Sequence, residues 1–429
     1  MDKNILLLKG DGSAPEASAE AVKVLLYGIG QKYGHQFIIR DAPLGASAYF
    51  QYGRVVPDET RKLIEEYSKE KGAILKEAIG LGPDESEKLR QAGVSLEIEG
   101  IVDVRVMLDT FMAYRPAVLT PKMFRFSPIR PERLGEGLDF MMFRELVGGI
   151  YVDDPNGNVM RKKIRGKDTN WEYAFDPCLY TREEVSRFAR ACFQEARERK
   201  RGFTMVQKPN ILATGAFFEY WFGKIQREEF PDVSYKTKII DALCAGIVMD
   251  PTEYNGDIGG ENLQFDITTD LQLGVIGSLG FGAASCWNPN KKTGFFEATH
   301  GSAPNLKGRG EVNPYSMIGS SAFMLEKVFG MKEEAADIWR AMNKVIEDGY
   351  STRELVRKLS EVEEDARAED DLRRLYNAFR KLSPSLSRED AKKLILASNR
   401  AVDLELEARV VSTSQFGDLV CENILGSAA

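Results

Sequence analysis

The sequence predicts an α/β protein of two domains, and three observations predict it. Short apolar runs that read as buried strands alternate with helical stretches through the first hundred residues. At 429 residues the chain exceeds the ~250–300 residues that one core serves. Its composition, 43% hydrophobic and 29% charged, is that of an ordinary globular protein.

The first strand is the apolar run at 5–8, which leads into the glycine turn Gly10-Asp11-Gly12-Ser13-Ala14-Pro15-Glu16 and a helix over about 17–33. This corner is a common ligand-binding device. It lacks both GxGxxG and GK[ST], so a plain structural turn explains it equally well. Strands near 36–40 and 72–79 then alternate with helices near 58–71 and 84–93. Next, the segment VRVMLDTFMAYRP places Arg105 and Arg115 in an apolar context, and Arg144 ends a similar run in MMFRELVGGIY, which closes on Tyr151. A guanidinium fork held this way pairs bidentately with a carboxylate, so three suggest a substrate with more than one carboxylate. The plainer account is that each pairs with a neighbour such as Asp109 or Glu145.

A polar stretch over about 152–178 reads as a protruding arm, followed by a long helix near 181–200. FTMVQKPN delivers Lys208 at the end of a strand, and a strand and helix over 235–248 set Asp241 among apolar residues. A carboxylate there is costly unless paired or metal-bound. Within 262–313, Asp266 and Asp270 stand four residues apart, on one face if the segment is helical. The apolar run 293–299 then opens into His300-Gly301-Ser302-Ala303-Pro304-Asn305, a Gly/Pro-interrupted loop suited to a nucleotide, which ends near Asn313. Carboxylates on one side and a nucleotide loop on the other suggest a metal-assisted redox site.

Composition excludes some partners. A formal net charge of -7 gives no reason to expect nucleic acid or an anionic membrane, and no apolar run approaches the ~20 residues of a membrane span. Five scattered cysteines without CxxC spacing suit reduced thiols, and nothing at the N-terminus resembles a signal peptide, so a cytoplasmic location is expected.

LDTFMAYRP, FRELVGGIY, VQKPNIL, IDALCAGIV, NLQFDITTD and FFEATHGSAP together resemble the β-decarboxylating dehydrogenases of (R)-malate derivatives, the isocitrate and 3-isopropylmalate dehydrogenase family. The resemblance implies a two-domain α/β fold that is not a Rossmann fold. It also implies metal-dependent oxidative decarboxylation of a 3-substituted (R)-malate, with hydride transfer to NAD or NADP. Arg105, Arg115 and Arg144 match the arginines that hold the malate carboxylates, and Tyr151 and Lys208 match the catalytic tyrosine and lysine. Asp241, Asp266 and Asp270 match the carboxylates around Mg²⁺ or Mn²⁺, with Asp241 also counted in the catalytic set. In the family the lysine and the first aspartate come from the neighbouring subunit, so a homodimer is implied. The cofactor is expected on His300 to Asn305 and Asn313.

Departures from the family pattern mark specificity. Ser13-Ala14 replace Ile-Gly in the first turn. Glu99 and Ile101 stand where isocitrate-specific bacterial enzymes have Ser and Asn, and Ile101 with Val102 resembles the apolar pocket for an isopropyl group. Asn305-Leu306 follows HGSAP in place of an acid or a Lys-Tyr pair, which leans slightly to NAD. Between 356 and 411 lies an insertion with apolar residues at helical spacing, expected as a charged helical hairpin. The expected domains are 1–110 with 278–429 for the cofactor and 111–277 for substrate and dimerisation. Two rivals stand beside this reading: a dehydrogenase for an unusual malate in a specialised pathway, and a non-catalytic regulatory subunit.

Overall fold

A computed structural model describes residues 2–70, 72–151, 162–165, 172–175, 177–355 and 409–426. Its centre is a sheet of ten strands: β1 (Lys3–Lys9), β2 (Phe37–Pro43), β3 (Ala73–Lys76), β4 (Met112–Leu119), β5 (Leu138–Glu145), β8 (Phe203–Gln207), β9 (Tyr235–Ile239), β10 (Gly256–Gly260), β11 (Ala283–Asn288) and β12 (Thr293–Ala298). Their spatial order is β2-β1-β3-β12-β11-β4-β5-β10-β8-β9. Pairing is parallel except around β11 and β4, where β12–β11, β11–β4 and β4–β5 are antiparallel. The remaining described strands of the arm, β6 (Lys162–Arg165) and β7 (Glu172–Phe175), form an antiparallel pair, and the rest of the expected arm is outside the described residues.

The inner strands are apolar on both faces because helices cover both. Alternation along β1 sends Leu6 and Leu8 into one core cluster with Ile74 and Phe295, and Ile5 and Leu7 into the other with Leu75 and Phe296. Helices expected near 17–33, 58–71, 84–93 and 181–200 are present as Ala14–Lys23 with its continuation to Tyr33, Asp58–Lys69, Pro83–Gln91 and Arg182–Glu198. The last begins at a capping box in which Thr181 and Glu184 exchange hydrogen bonds, the sequence-level start signal made explicit.

The sheet passes without a break between the two expected domains, through the pairing of β11 with β4. Near the C-terminus, β13 (Ser351–Thr352) pairs in parallel with β14 (Val410–Val411), so the chain leaves and re-enters at one place. The hairpin expected over 356–411 lies outside the described residues apart from 409–411. Both flanks of the insertion attach to the 310–313 loop: Glu354 N donates to Glu311 O, and Thr413 donates from N to Gly310 O and from Oγ1 to Val312 O.

Candidate active site

Strand register gathers charge on one face of the sheet. Ala113 pairs with both Arg144 and Cys286, Glu297 pairs with Ala284 and with Lys76, and Arg115 lies two residues beyond Ala113. Since paired residues share a face and side chains alternate, Arg144, Arg115, Cys286, Glu297 and Lys76 all point to the same side. Arg105 joins them from the Asp103–Met107 helix. Arg115 and Arg144 are buried. Burial first, then the nearby Arg105 and Arg115 charges, lowers the Arg144 guanidinium to about 10.

The ion pairs that would make these arginines ordinary are not formed. Asp109 instead meets Arg187 and Lys291, and Glu145 accepts hydrogen bonds from Val147 N and Gly148 N. Among the described residues Arg144 is the one of the three in an ion pair, with Nη1 on Asp266 Oδ1 and Nε donating 2.9 Å to Asn262 Oδ1. Arg105 Nε and Arg115 Nε are buried without a hydrogen-bond partner among the described residues.

Asn262–Ile276 is a helix, capped by the Glu261 carboxylate on Leu263 N and Gln264 N, so Asp266 and Asp270 do share a face. Tyr151 Oη donates to Asp266 Oδ2 at 3.3 Å, and its ring lies 5.8 Å from the Arg144 guanidinium. Burial and then the Asp266 charge raise the Tyr151 hydroxyl, so it stays protonated at neutral pH. The Asp270 carboxyl is also raised, by burial first and by Asp266 among the nearby charges. Two neighbouring carboxylates, oxygen donors only, fit a hard divalent cation, which would relieve their repulsion. Among the described residues no group of three or more His, Cys, Asp or Glu is placed to hold a metal, so Asp241 does not join this pair within one chain.

Asp241, in its apolar stretch, is exposed and paired. Its side chain is 61% exposed and pairs with Lys208, which lowers the carboxyl through their hydrogen bond. The reason is that the apolar Ile240–Met249 helix turns much of its surface outward: Met249 is 63% exposed, and nearby Ile211 and Ile267 are 74% and 62% exposed. Ile101 and Val102 lie half-buried in a π-helical turn, Glu97–Val102, one turn before Arg105 and on its side of the helix. Glu99, in the same turn, folds back to accept a 3.4 Å hydrogen bond from Ser95 N.

The loop over 300–305, expected to take a nucleotide, packs on the first glycine turn. Ser13 donates from N and Oγ to Ser302 O, and Ser302 Oγ donates to Gly80 O. Buried Asp11 gathers Ala46 N, Ser47 N and Gly80 N. Gly12 has φ +61, and a Cβ there would lie 2.3 Å from Ser302 O, so glycine is required for this close approach. Gly301, Pro304 and Asn305 are exposed, while His300 and Ala303 are partly so, with Ala303 left-handed at φ 40. Asn313 is fully buried, its Oδ1 accepting from Tyr315 N and its Nδ2 donating to Gly280 O.

Sequence reasoning passed over Lys76, Glu297 and Asn262, and took Glu145 only as a possible ion-pair partner for an arginine. The three charged residues had a signal, a charge inside an otherwise apolar run; Asn262 had none.

A cluster of arginines and carboxylates beside a glycine-rich loop is the arrangement expected of a hydroxy-acid oxidoreductase, and the likeness to known proteins makes that class specific. A model of the isocitrate/isopropylmalate dehydrogenase family matches residues 4–370. The chain is 33% identical over 356 residues to 3-isopropylmalate dehydrogenase of Oleidesulfovibrio alaskensis, covering 83% of this chain and 94% of that one. It is 34% identical over 358 residues to the 3-isopropylmalate dehydrogenase of Xanthomonas oryzae pv. oryzae, again covering 83% and 94%. Among solved structures it is similar to isocitrate dehydrogenase from Methylococcus capsulatus, with a TM-score of 0.71, 24% identity and 99% of each chain covered, a likeness of fold. The chain belongs to the isocitrate/isopropylmalate dehydrogenase family and is a decarboxylating dehydrogenase.

Proposed function

We propose that this protein catalyses metal-dependent oxidative decarboxylation of a 3-substituted (R)-malate, passing a hydride to NAD⁺ or NADP⁺, as a homodimer in which each active site is completed by the partner. The charge balance of the cluster carries the reading. Three arginines converge, Arg144 meets the Asp266 carboxylate, and Arg105 and Arg115 each keep a buried Nε–H without an acceptor among the described residues. A substrate bearing two carboxylates supplies what is missing, since a buried guanidinium is costly until it is paired.

Asp266 and Asp270, with Asp241 of the partner subunit, would hold Mg²⁺ or Mn²⁺. When bound, that cation supplies Lewis-acid stabilisation of the enolate left by loss of carbon dioxide. Lys208 of the partner subunit takes the hydroxyl proton, and Tyr151, held protonated beside Asp266, returns a proton to carbon. Support for the shared site is the position of Lys208 and Asp241 on a surface of exposed apolar residues, a costly face for a lone chain. NAD⁺ is the favoured nucleotide, because Asn305 is neutral and exposed and suits a ribose 2′-hydroxyl.

Ile101 and Val102 support an apolar 3-substituent, as do the names of the relatives above. Glu99 near that turn opposes a third carboxylate, which favours as a second reading a less common malate over isocitrate. The test is NAD⁺ and NADP⁺ reduction with Mg²⁺ or Mn²⁺ over isocitrate, homoisocitrate, 3-isopropylmalate, D-malate, tartrate and phosphonomethylmalate. Metal-dependent turnover, best with an alkylmalate and NAD⁺, is expected. Folded protein that stays silent across the panel would overturn the reading.

A further inference from the structure

The loop from Glu145 to Tyr151 is irregular, yet its peptide groups are pinned. Gly148 N donates 2.9 Å to Glu145 Oε2, Gly148 O accepts 3.0 Å from Asn262 Nδ2, and Gly149 N donates 2.8 Å to Leu179 O. Tyr180 closes the other side: a Cβ on Gly148 would lie 2.4 Å from its ring and one on Gly149 2.7 Å from its Oη. Tyr180 Oη accepts 2.9 Å from Asn262 N and donates 3.0 Å to Glu261 Oε2. Asn262 Oδ1 meanwhile accepts from Arg144 Nε, and Asp266, one turn along the same helix, takes Arg144 Nη1 and the Tyr151 hydroxyl.

We infer that Asn262 is a positioning residue of the dehydrogenase reaction: one buried amide fixes Arg144 and the loop that delivers Tyr151 relative to each other and to Asp266. The inference rests on the function proposed above. Both ends of the amide have forced roles, because a guanidinium cannot accept a hydrogen bond and a carbonyl cannot donate one. Asn262 is 1% exposed, so neither contact is replaced by bulk water when lost. An aspartate there keeps the acceptor for Arg144 but sets a second oxygen against Gly148 O. Leucine, of similar size, keeps neither contact. The Arg144 end acts on substrate binding and the Gly148 end acts on Tyr151; Tyr180→Phe, which loosens Asn262 without adding charge beside Arg144, separates the roles.

The test compares wild type, Asn262→Asp, Asn262→Leu and the milder Tyr180→Phe, which removes the hydroxyl that receives Asn262 N. For each, kcat and KM are measured on the best substrate of the panel, and (R)-malate binding is followed by calorimetry without nucleotide. Asn262→Asp is expected to lower kcat about tenfold or more and, because its charge also occupies Arg144, to weaken malate binding. Asn262→Leu is expected to weaken malate binding about tenfold as well, and Tyr180→Phe to lower kcat several-fold with KM nearly unchanged. Should the Asn262 variants fail to fold, Tyr180→Phe decides alone. An active wild type beside folded variants of unchanged kcat overturns the inference and leaves the function standing. A wild type inactive on every malate overturns the function, and the inference with it.

Discussion

Lys76 Nζ lies 2.7 Å from Glu297 Oε2, a pair buried in the face of the sheet that carries Arg115 and Arg144. Glu297 also accepts from Cys286 Sγ at 3.8 Å, and the charges of Lys76 and Arg105 hold its carboxyl low despite burial. Removing Lys76 strands a buried carboxylate. Lys76→Met is therefore expected to destabilise the fold by about 3–5 kcal/mol, and adding Glu297→Gln is expected to restore much of it. Urea denaturation of the single and double variants measures this; an additive double variant would show that the pair does not interact.

The shared active sites proposed above predict complementation. Tyr151→Phe and Lys208→Met homodimers should each be nearly inactive. Co-refolded in equal amounts, they should recover about a quarter of wild-type activity, because half the dimers are mixed and each mixed dimer has one complete site. No recovery from mixtures that demonstrably exchange subunits would place Lys208 and Tyr151 in the same chain's site.

Glu145 predicts a pH dependence of stability. Burial is the first cause that raises its carboxyl, to about 7, against the two backbone N–H groups that lower it. A carboxyl raised on folding binds more protons in the folded state between its unfolded value, about 4.3, and about 7. Stability from this group is thus present below about 4.3 and lost as pH rises through that window. Glu145→Gln removes the titration, so the variant should gain on wild type by up to about 3 kcal/mol between pH 4.5 and pH 8. Parallel denaturant curves at the two pH values test it; a constant difference would mean that Glu145 is ionised throughout.

The sequence by itself determined the alternation of strands and helices, because apolar periodicity is a local property that each segment carries. It likewise determined that Asp266 and Asp270 share a helix face, since a spacing of four fixes that once the helix forms. The family resemblance, confirmed by the match over 4–370, came from motifs in order along the chain. Tertiary structure alone decided which charges meet. Register across β3, β12, β11, β4 and β5 placed Lys76 and Glu297 under the arginines, and no local signal encodes register between strands as far apart in sequence as β3 and β12. Nor could periodicity show that the apolar helix around Asp241 faces outward, because the pattern of a buried helix and that of an exposed apolar one are the same until the surrounding elements are packed. Asn262 stayed invisible for the same reason: its amide matters through Arg144 and Gly148, partners more than a hundred residues away that only the closed fold brings within hydrogen-bond reach.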